Sequence, residues 1–425
     1  MKRYEKYKPT GIQWLPEIPE YWEAVKIKYC FNQRSEKGFP NEPILCATQS
    51  RGVIPQTLYE NRVVVVNKGF EGLKLVKVGD FVISLRSFQG GIEYAYYQGI
   101  ISSAYTILSP QKESSSPYFK YLFKSHPFIQ LLQTCVTGIR EGQNINYSVL
   151  GNSFIPIPPI PEQNKIVAYL DKRITLIENC KCQRERELQT LNELKQAEIA
   201  SVVTRGLNPD VPMKDSGIPW IGQIPVHWDM KYLFQVAHEH YISNKDIHHQ
   251  NLLSLSYGKI VHKDINTTEG LLPASFDTYQ IIEPGNIVFR FTDLQNDHKS
   301  LRVGLSKETG IITSAYIAVE VDTIYILPEY FYYTLHSFDI KKLFYSMGGG
   351  LRQSLNYNGI RKLYLPIPPL EEQKAIVSFV DNKIKKIEVM IQSLESEIDR
   401  LTEYKQRLIS DVVTGQIDVR GEQIQ

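Results

Sequence analysis

The strongest constraint on this chain is that its sequence is written twice. The segment Gly11–Trp22, GIQWLPEIPEYW, returns 206 positions later as Gly217–Trp228, GIPWIGQIPVHW, with both tryptophans and the second proline in register. Gly99–Tyr105 returns as Gly310–Tyr316 at an offset of 211, and the run PIPPIPEQ from Pro156 returns as PIPPLEEQ from Pro366 at an offset of 210. Between 156–178 and 366–388, 12 of 23 positions are identical, which chance does not supply. The 425 residues are therefore one module duplicated once. Two copies are too few for a solenoid, whose units must stack several deep to bury a core. A tandem pair predicts two similar heads. Copy two is five residues longer between Gly285 and Gly310, in the polar stretch Thr292–Lys299. Length variation in a polar loop on a shared scaffold is how one fold acquires different ligands.

Within each copy the first three-quarters reads as mixed α/β and strand-rich. Val63–Val66, Phe81–Leu85, Ile281-Ile282 and Ile287–Phe289 are β-branched or aromatic runs, while 117–133 and 328–344 carry Tyr, Phe and Leu at helical spacing. Proline clusters at 156–161 and 366–369 then end a strand and open a long helix. In copy two the heptad positions Val377, Val380, Ile384, Ile387, Ile391, Leu394, Ile398, Leu401, Lys405, Leu408 and Val412 are apolar in ten of eleven cases. That is a coiled-coil seam. Copy one matches it at Val167, Leu170, Ile174, Ile177, Leu188, Leu191 and Val202, with polar Lys181, Arg184 and Lys195 between. An unbroken seam beside a broken one predicts that the two helices pair, the long basic stems lying over the partner. The predicted domains are a head over 1–155, a helix segment over 156–207, a second head over 208–363, and a helix with a tail over 364–425.

Charge narrows the function less than the repeat does. Head one has 18 Lys and Arg against 12 Asp and Glu, whereas head two has 14 against 16. Neither is the strongly basic surface that would by itself identify a nucleic-acid binder. No apolar run approaches the roughly 20 residues of a membrane helix, and no signal-peptide stretch follows Met1–Glu5. The five cysteines are scattered, odd in number and outside any CxxC frame, which predicts a reducing cytoplasm and no metal site.

Two heads, each followed by P-x-P-P-x-x-E-Q-x-x-I and a long helix, make a recognisable pattern. It stands here at Pro156–Ile166 and Pro366–Ile376. The helix ends Val202-Val203-Thr204-Arg205-Gly206 and Val412-Val413-Thr414-Gly415, and the Gly-Ile-x-Trp opening of each half, belong to the same pattern. The whole chain resembles the specificity (S) subunit of type I restriction-modification enzymes. The resemblance implies two target-recognition domains, each reading half of a bipartite double-stranded DNA sequence, separated by an antiparallel coiled coil. It implies two modification subunits that methylate adenine with S-adenosylmethionine, with or without two restriction subunits that use ATP and Mg. It implies no cofactor and no catalytic residue on this chain.

The residues suited to DNA contact lie in matched polar loops. Gln49 and Arg51 correspond to Tyr257 and Lys259. Arg86, Ser87 and Gln89 follow one strand, and Arg290, Thr292, Gln295, Asn296 and Lys299 follow its counterpart. Arg140 and Gln143, like Arg352 and Gln353, precede a repeated Asn-Tyr. Arg suits guanine O6/N7 and Gln suits adenine N6/N7 in the major groove, although ordinary surface Arg and Gln would look the same. The repeated tryptophans Trp14, Trp22, Trp220 and Trp228 are read as packing, since an element common to both heads cannot encode their difference. Asn208-Pro209-Asp210 lacks the aromatic of a methyltransferase tetrapeptide and reads as a turn. His238, His240, His248 and His249 lack the spacing of a metal site, and no phosphate-cradling G-x-x-x-x-G-K-[ST] occurs. Two competing functions remain open from sequence: an enzyme with a cryptic site, and an adaptor that joins proteins through its coiled coil without touching DNA.

Overall fold

The computed structural model describes residues 2–60, 69–111, 116–137, 144–245, 249–265, 275–292, 294, 297, 300–347 and 355–422. It divides into two compact units, Met1–Glu185 with Ser396–Gln425, and Arg186–Glu395. The run Val63–Val66, expected as a strand, lies outside the described residues.

The duplication in sequence is a duplication in topology. The first unit carries a four-stranded antiparallel sheet ordered Phe31–Arg34, Thr106–Pro110, Phe81–Ile83, Glu93–Tyr94. The second repeats it as Ala237–His240, Ile317–Val321, Ile287–Phe289, Val303–Leu305. Each head is closed by a strand near its start pairing with the strand that leads into a long helix: Glu23–Lys26 with Phe154–Ile157, and Asp229–Tyr232 with Tyr364–Ile367. The helical spacing at 117–133 resolves into two helices, Ser116–Leu122 and His126–Thr134, the second with Pro127 in its first turn. Its counterpart is Pro328–Ile340, followed by a 3-10 turn at Leu343–Ser346.

The long helices span Ile160–Arg205 and Leu370–Val413. In the first unit Glu178 pairs with Lys405 at 2.6 Å and Arg184 with Glu397 at 3.2 Å. In the second, Lys195 pairs with Glu388 at 2.7 Å and Glu198 with Lys383 at 3.2 Å. Within each unit, residue numbers rise on one helix as they fall on the other, so the pairing is antiparallel. Three of the four polar residues that interrupt the seams, Arg184, Lys195 and Lys405, thus face carboxylates. The fourth, Lys181, is half-buried. Seam residues Leu170, Ile177, Val380 and Ile387 are buried. Val167, Ile174, Leu188, Leu191, Val377, Ile384, Ile391, Leu394, Ile398 and Leu401 are half-buried.

Sequence alone suggested a spacer separate from the heads. The ends of both helices are instead part of the heads' cores. Ile166, Leu170 and Ile177 pack with Leu408, Ile409, Val412 and Val413 and with Trp22, Phe119 and Phe128 of head one. Ile199, Val202 and Val203 pack with Ile376 and Val380 and with Trp228 and Phe331 of head two. Each helix ends at a glycine with φ +76°, Gly206 and Gly415. That left-handed conformation caps a helix and strains any residue with a Cβ. At Gly415 a Cβ would also fall 2.5 Å from Pro19 and 3.2 Å from Trp22.

The packing explains the repeated Glu-Gln. Gln163 and Gln373, both buried, donate from Nε2 to the carbonyls of Pro158 and Pro368 at 2.8 and 2.9 Å, stapling the proline turn to the first helical turn. Glu162 accepts from the Tyr4 hydroxyl at 2.6 Å and from Tyr21. Glu372 accepts from Trp228 Nε1 at 3.1 Å and contacts His227. The opening of each head is thus fastened to the start of the helix that follows it. Trp22 and Trp228 are fully buried, Trp14 is half-buried against Phe128, and Trp220 is exposed. Among the described residues no helix is apolar enough to cross a membrane.

Candidate nucleic-acid interface

In head one, strands Leu45–Thr48 and Gly52–Pro55 form a hairpin whose tip carries Gln49 and Arg51. The buried Thr48 hydroxyl donates to the Gly52 carbonyl at 2.9 Å and accepts from the Arg51 amide at 3.0 Å, which sets the turn. Both tip side chains are exposed. Arg51 donates to the Leu58 carbonyl at 3.1 Å and lies 3.8 Å from exposed Glu60, a loose hold in water.

Strand Phe81–Ile83 leads into a helical turn, Ser87–Gly90. Arg86 and Gln89 are exposed. Ser87 is not available as expected: it is buried, and its hydroxyl accepts from the Ser84 amide at 2.8 Å. It shapes the loop and does not face a ligand. A Cβ built on Gly90 would lie 2.9 Å from the Gln49 side chain, so the hairpin tip and this loop are in contact. Sequence treated them as separate; the fold makes one surface of Gln49, Arg51, Arg86 and Gln89.

In head two the matching hairpin, Leu253–Ser256 with Lys259–His262, turns through two residues, Tyr257 and Gly258, at φ +46° and +78°. Two consecutive positive φ values make the tight turn that suits the twist of paired strands. Tyrosine is an uncommon choice there, and strain of this kind collects at functional sites. Tyr257 is 73% exposed, and the Tyr332 hydroxyl donates to the Gly258 carbonyl at 3.1 Å, pinning the tip. Lys259 is exposed, its ammonium 4.0 Å from Glu388.

Arg290 and Thr292, both half-buried, begin the longer loop of copy two. Thr292 and Asp297 of that loop are held by a residue which sequence reasoning missed. Arg302 is fully buried, and its guanidinium donates to the carbonyls of Thr292 at 3.0 Å and Asp297, while the Tyr345 hydroxyl donates to Asp297 at 3.0 Å. Asp339 accepts from the Arg302 amide, and burial pushes its carboxyl up to about 6. The only signal in sequence was an arginine three residues past the insertion. Gln295, Asn296, Lys299, Arg140, Gln143, Arg352 and Gln353 lie outside the described residues. The Asn-Tyr that follows two of these pairs is a helix cap: Asn146 and Asn356 accept from the amides of Ser148 and Gly359.

His238 and His240 both approach Glu320, at 3.5 and 3.3 Å. No cluster able to hold a metal ion occurs among the described residues. Asn208 accepts from the Asp210 amide, so Asn-Pro-Asp is a turn.

Two heads of one topology, set on a paired seam and carrying different side chains at matched loop tips, define the kind of protein to compare. The profile of the type I restriction modification DNA specificity domain matches residues 19–190 and 303–400. The chain belongs to that family. Two relatives come from Methanocaldococcus jannaschii. The type I restriction enzyme MjaVIII specificity subunit is 23% identical, with 95% of each chain covered. The MjaX specificity subunit, a provisional assignment, is 24% identical over 98% of this chain and 97% of its own. A chain from a structural study of complex assembly and conformational transition of the type I R-M system superposes with a TM-score of 0.67 at 15% identity, covering 94% of this chain and 99% of its own. At that identity the likeness concerns the fold. The two matched segments of this specificity-domain chain fall one in each half of the duplication, and each contains one of the Glu-Gln staples.

Proposed function

We propose that this chain is the non-catalytic, DNA-reading subunit of a type I restriction-modification complex. The two heads, 1–155 and 208–363, each read one half of a bipartite duplex sequence, and the helix pair sets the separation of the halves. The chain positions two modification subunits, which methylate adenine with S-adenosylmethionine, and two restriction subunits where the system has them. The chain itself binds no cofactor. The observation that carries the reading is one topology built twice, with Gln49 and Arg51 on one hairpin tip and Tyr257 and Lys259 on the other. Side chains that differ at equivalent places on equivalent scaffolds are what two different half-sites require.

Division of labour follows from charge. The heads together carry 32 basic against 28 acidic residues, a small surplus for a protein whose non-specific affinity would come from neutralised phosphates. The modification subunits then supply the remaining contacts around the duplex.

The test is a head exchange. The chain is reconstituted with its modification subunit and methylated adenines are mapped by sequencing, before and after residues 1–155 are replaced by the same segment of a paralogue. One half of the methylated motif changes and the other persists. A change in both halves together, or methyl transfer by the isolated chain, overturns the reading.

A further inference from the structure

The contact between the two exposed loops of head one is held by a side chain that neither loop contains. Lys124 lies in the turn between helices Ser116–Leu122 and His126–Thr134. Its ammonium donates to the Gln49 carbonyl at 3.1 Å, to the Gly90 carbonyl at 2.8 Å, and to Glu93 Oε1 at 2.5 Å. An ammonium has three donors. Here each goes to a different element: the hairpin tip, the loop after the central strand, and the edge strand of the sheet.

We propose that Lys124 is a positioning residue for target recognition, fixing the hairpin tip Gln49–Arg51 against the Arg86–Gly90 loop and so deciding which half-site head one accepts. The proposal deepens the reading of the chain as a DNA-specificity subunit and rests on it.

Three further observations support it. The loops are packed hard against what Lys124 joins: a Cβ on Gly91 would fall 2.2 Å from the Phe123 carbonyl, and one on Gly90 would fall 2.9 Å from the Gln49 side chain. The two loops are thus in direct contact with each other and with the Lys124 turn. Glu93 is buried, its second oxygen has no partner, and burial pushes its carboxyl up to about 7 against the pull of Lys124. The Glu93 oxygen and the two carbonyls, from three elements, thus converge on one ammonium. Head two solves the same problem differently. Aligning Tyr118 with Tyr330 and Ser125 with Ser337 puts His336 at the place of Lys124. His336 is half-buried with its Nδ1 shielded from solvent and unpartnered, and Tyr332, one turn earlier, holds the hairpin tip through Gly258. The strut is head-specific, as a determinant of two different half-sites has to be.

The test uses the reconstituted complex and three chains: wild type, Lys124→Met, and Lys124→Met with Glu93→Gln. The double variant removes the cation and the buried charge together, so that it folds even where the single one does not. Methylation is measured on duplexes carrying every single-base change in each half-site. The expected result is a loss of discrimination of roughly tenfold or more at positions in the half-site of head one. Discrimination in the other half-site, and the KM for S-adenosylmethionine, stay at their wild-type values. A folded double variant that discriminates in both half-sites as wild type does would overturn the proposal. A wild-type complex whose methylated sites form no two-part motif would overturn the underlying reading instead.

Discussion

The Tyr118 hydroxyl donates to the Val413 carbonyl at 2.9 Å, across 295 positions of chain. The same hydroxyl lies 3.1 Å from the carbonyl of Pro156, just before the first long helix. Tyr330 repeats both contacts in head two, to Val203 at 3.0 Å and Pro366 at 3.2 Å. A single buried side chain in each head therefore joins the strand that enters one long helix to the end of the other. Head two meets the end of the helix that precedes it in the chain, while head one meets the end of the chain's last helix.

That closure makes head one dependent on the far end of the sequence. Ending the chain at residue 407 removes Leu408, Ile409, Val412, Val413 and Val419, all buried with the head-one core. Each large apolar side chain lost from a packed core costs about 2–5 kcal/mol. Hydrogen exchange followed by mass spectrometry is expected to show protection lost across 2–155 and retained across 208–363.

His336 makes the second unit acid-sensitive. Burial and the charge of Lys195 hold its imidazole down to about 4. As pH falls below the ordinary histidine range, the unfolded chain takes up a proton that the folded one refuses. The contribution of neutral His336 to stability is therefore full above about pH 6.5 and is lost progressively toward pH 4, by up to about 3 kcal/mol. In His336→Phe, denaturant midpoints of the second unit are expected to lose this component of their fall between pH 7 and pH 4.5; a fall as steep as in the wild type contradicts the assignment.

The exposed loop tips are expected to act on one half-site each. Arg86→Ala and Tyr257→Ala remove side chains that face solvent, so melting temperature stays within about 1 °C of the wild type. Binding by the assembled complex weakens by about 1–3 kcal/mol where either residue contacts a base. Competition with single-base variants of the duplex locates the effect, in one half-site for Arg86 and in the other for Tyr257.

Length of the paired helices is expected to set the spacer. Removing 181–187 and 395–401 takes one heptad from each helix, with the Arg184–Glu397 pair inside the excised block. Each helix shortens by roughly 10 Å, about three base pairs of duplex. The mapped methylation motif is expected to keep both half-sites and lose about three base pairs between them, with helicity by circular dichroism reporting that the helices still pair.

Much of this protein is legible in its sequence because the signals are local and periodic. The duplication is written out, prolines and glycines mark both ends of each helix, and the 3.5-residue spacing of Val377, Val380, Ile384 and Ile387 needs no partner to be seen. What periodicity cannot carry is the meeting of distant side chains. That Val413 belongs to the core of head one, that Gln49 lies against Gly90, and that Ser87 turns inward follow from packing. Half-buried Lys124 and buried Arg302 look like any surface lysine or arginine until the fold surrounds them with carbonyls. Local chemistry determined the elements and their number. Only the tertiary structure decided which loops share a surface, because burial and hydrogen-bond geometry exist only once residues hundreds of positions apart are in contact.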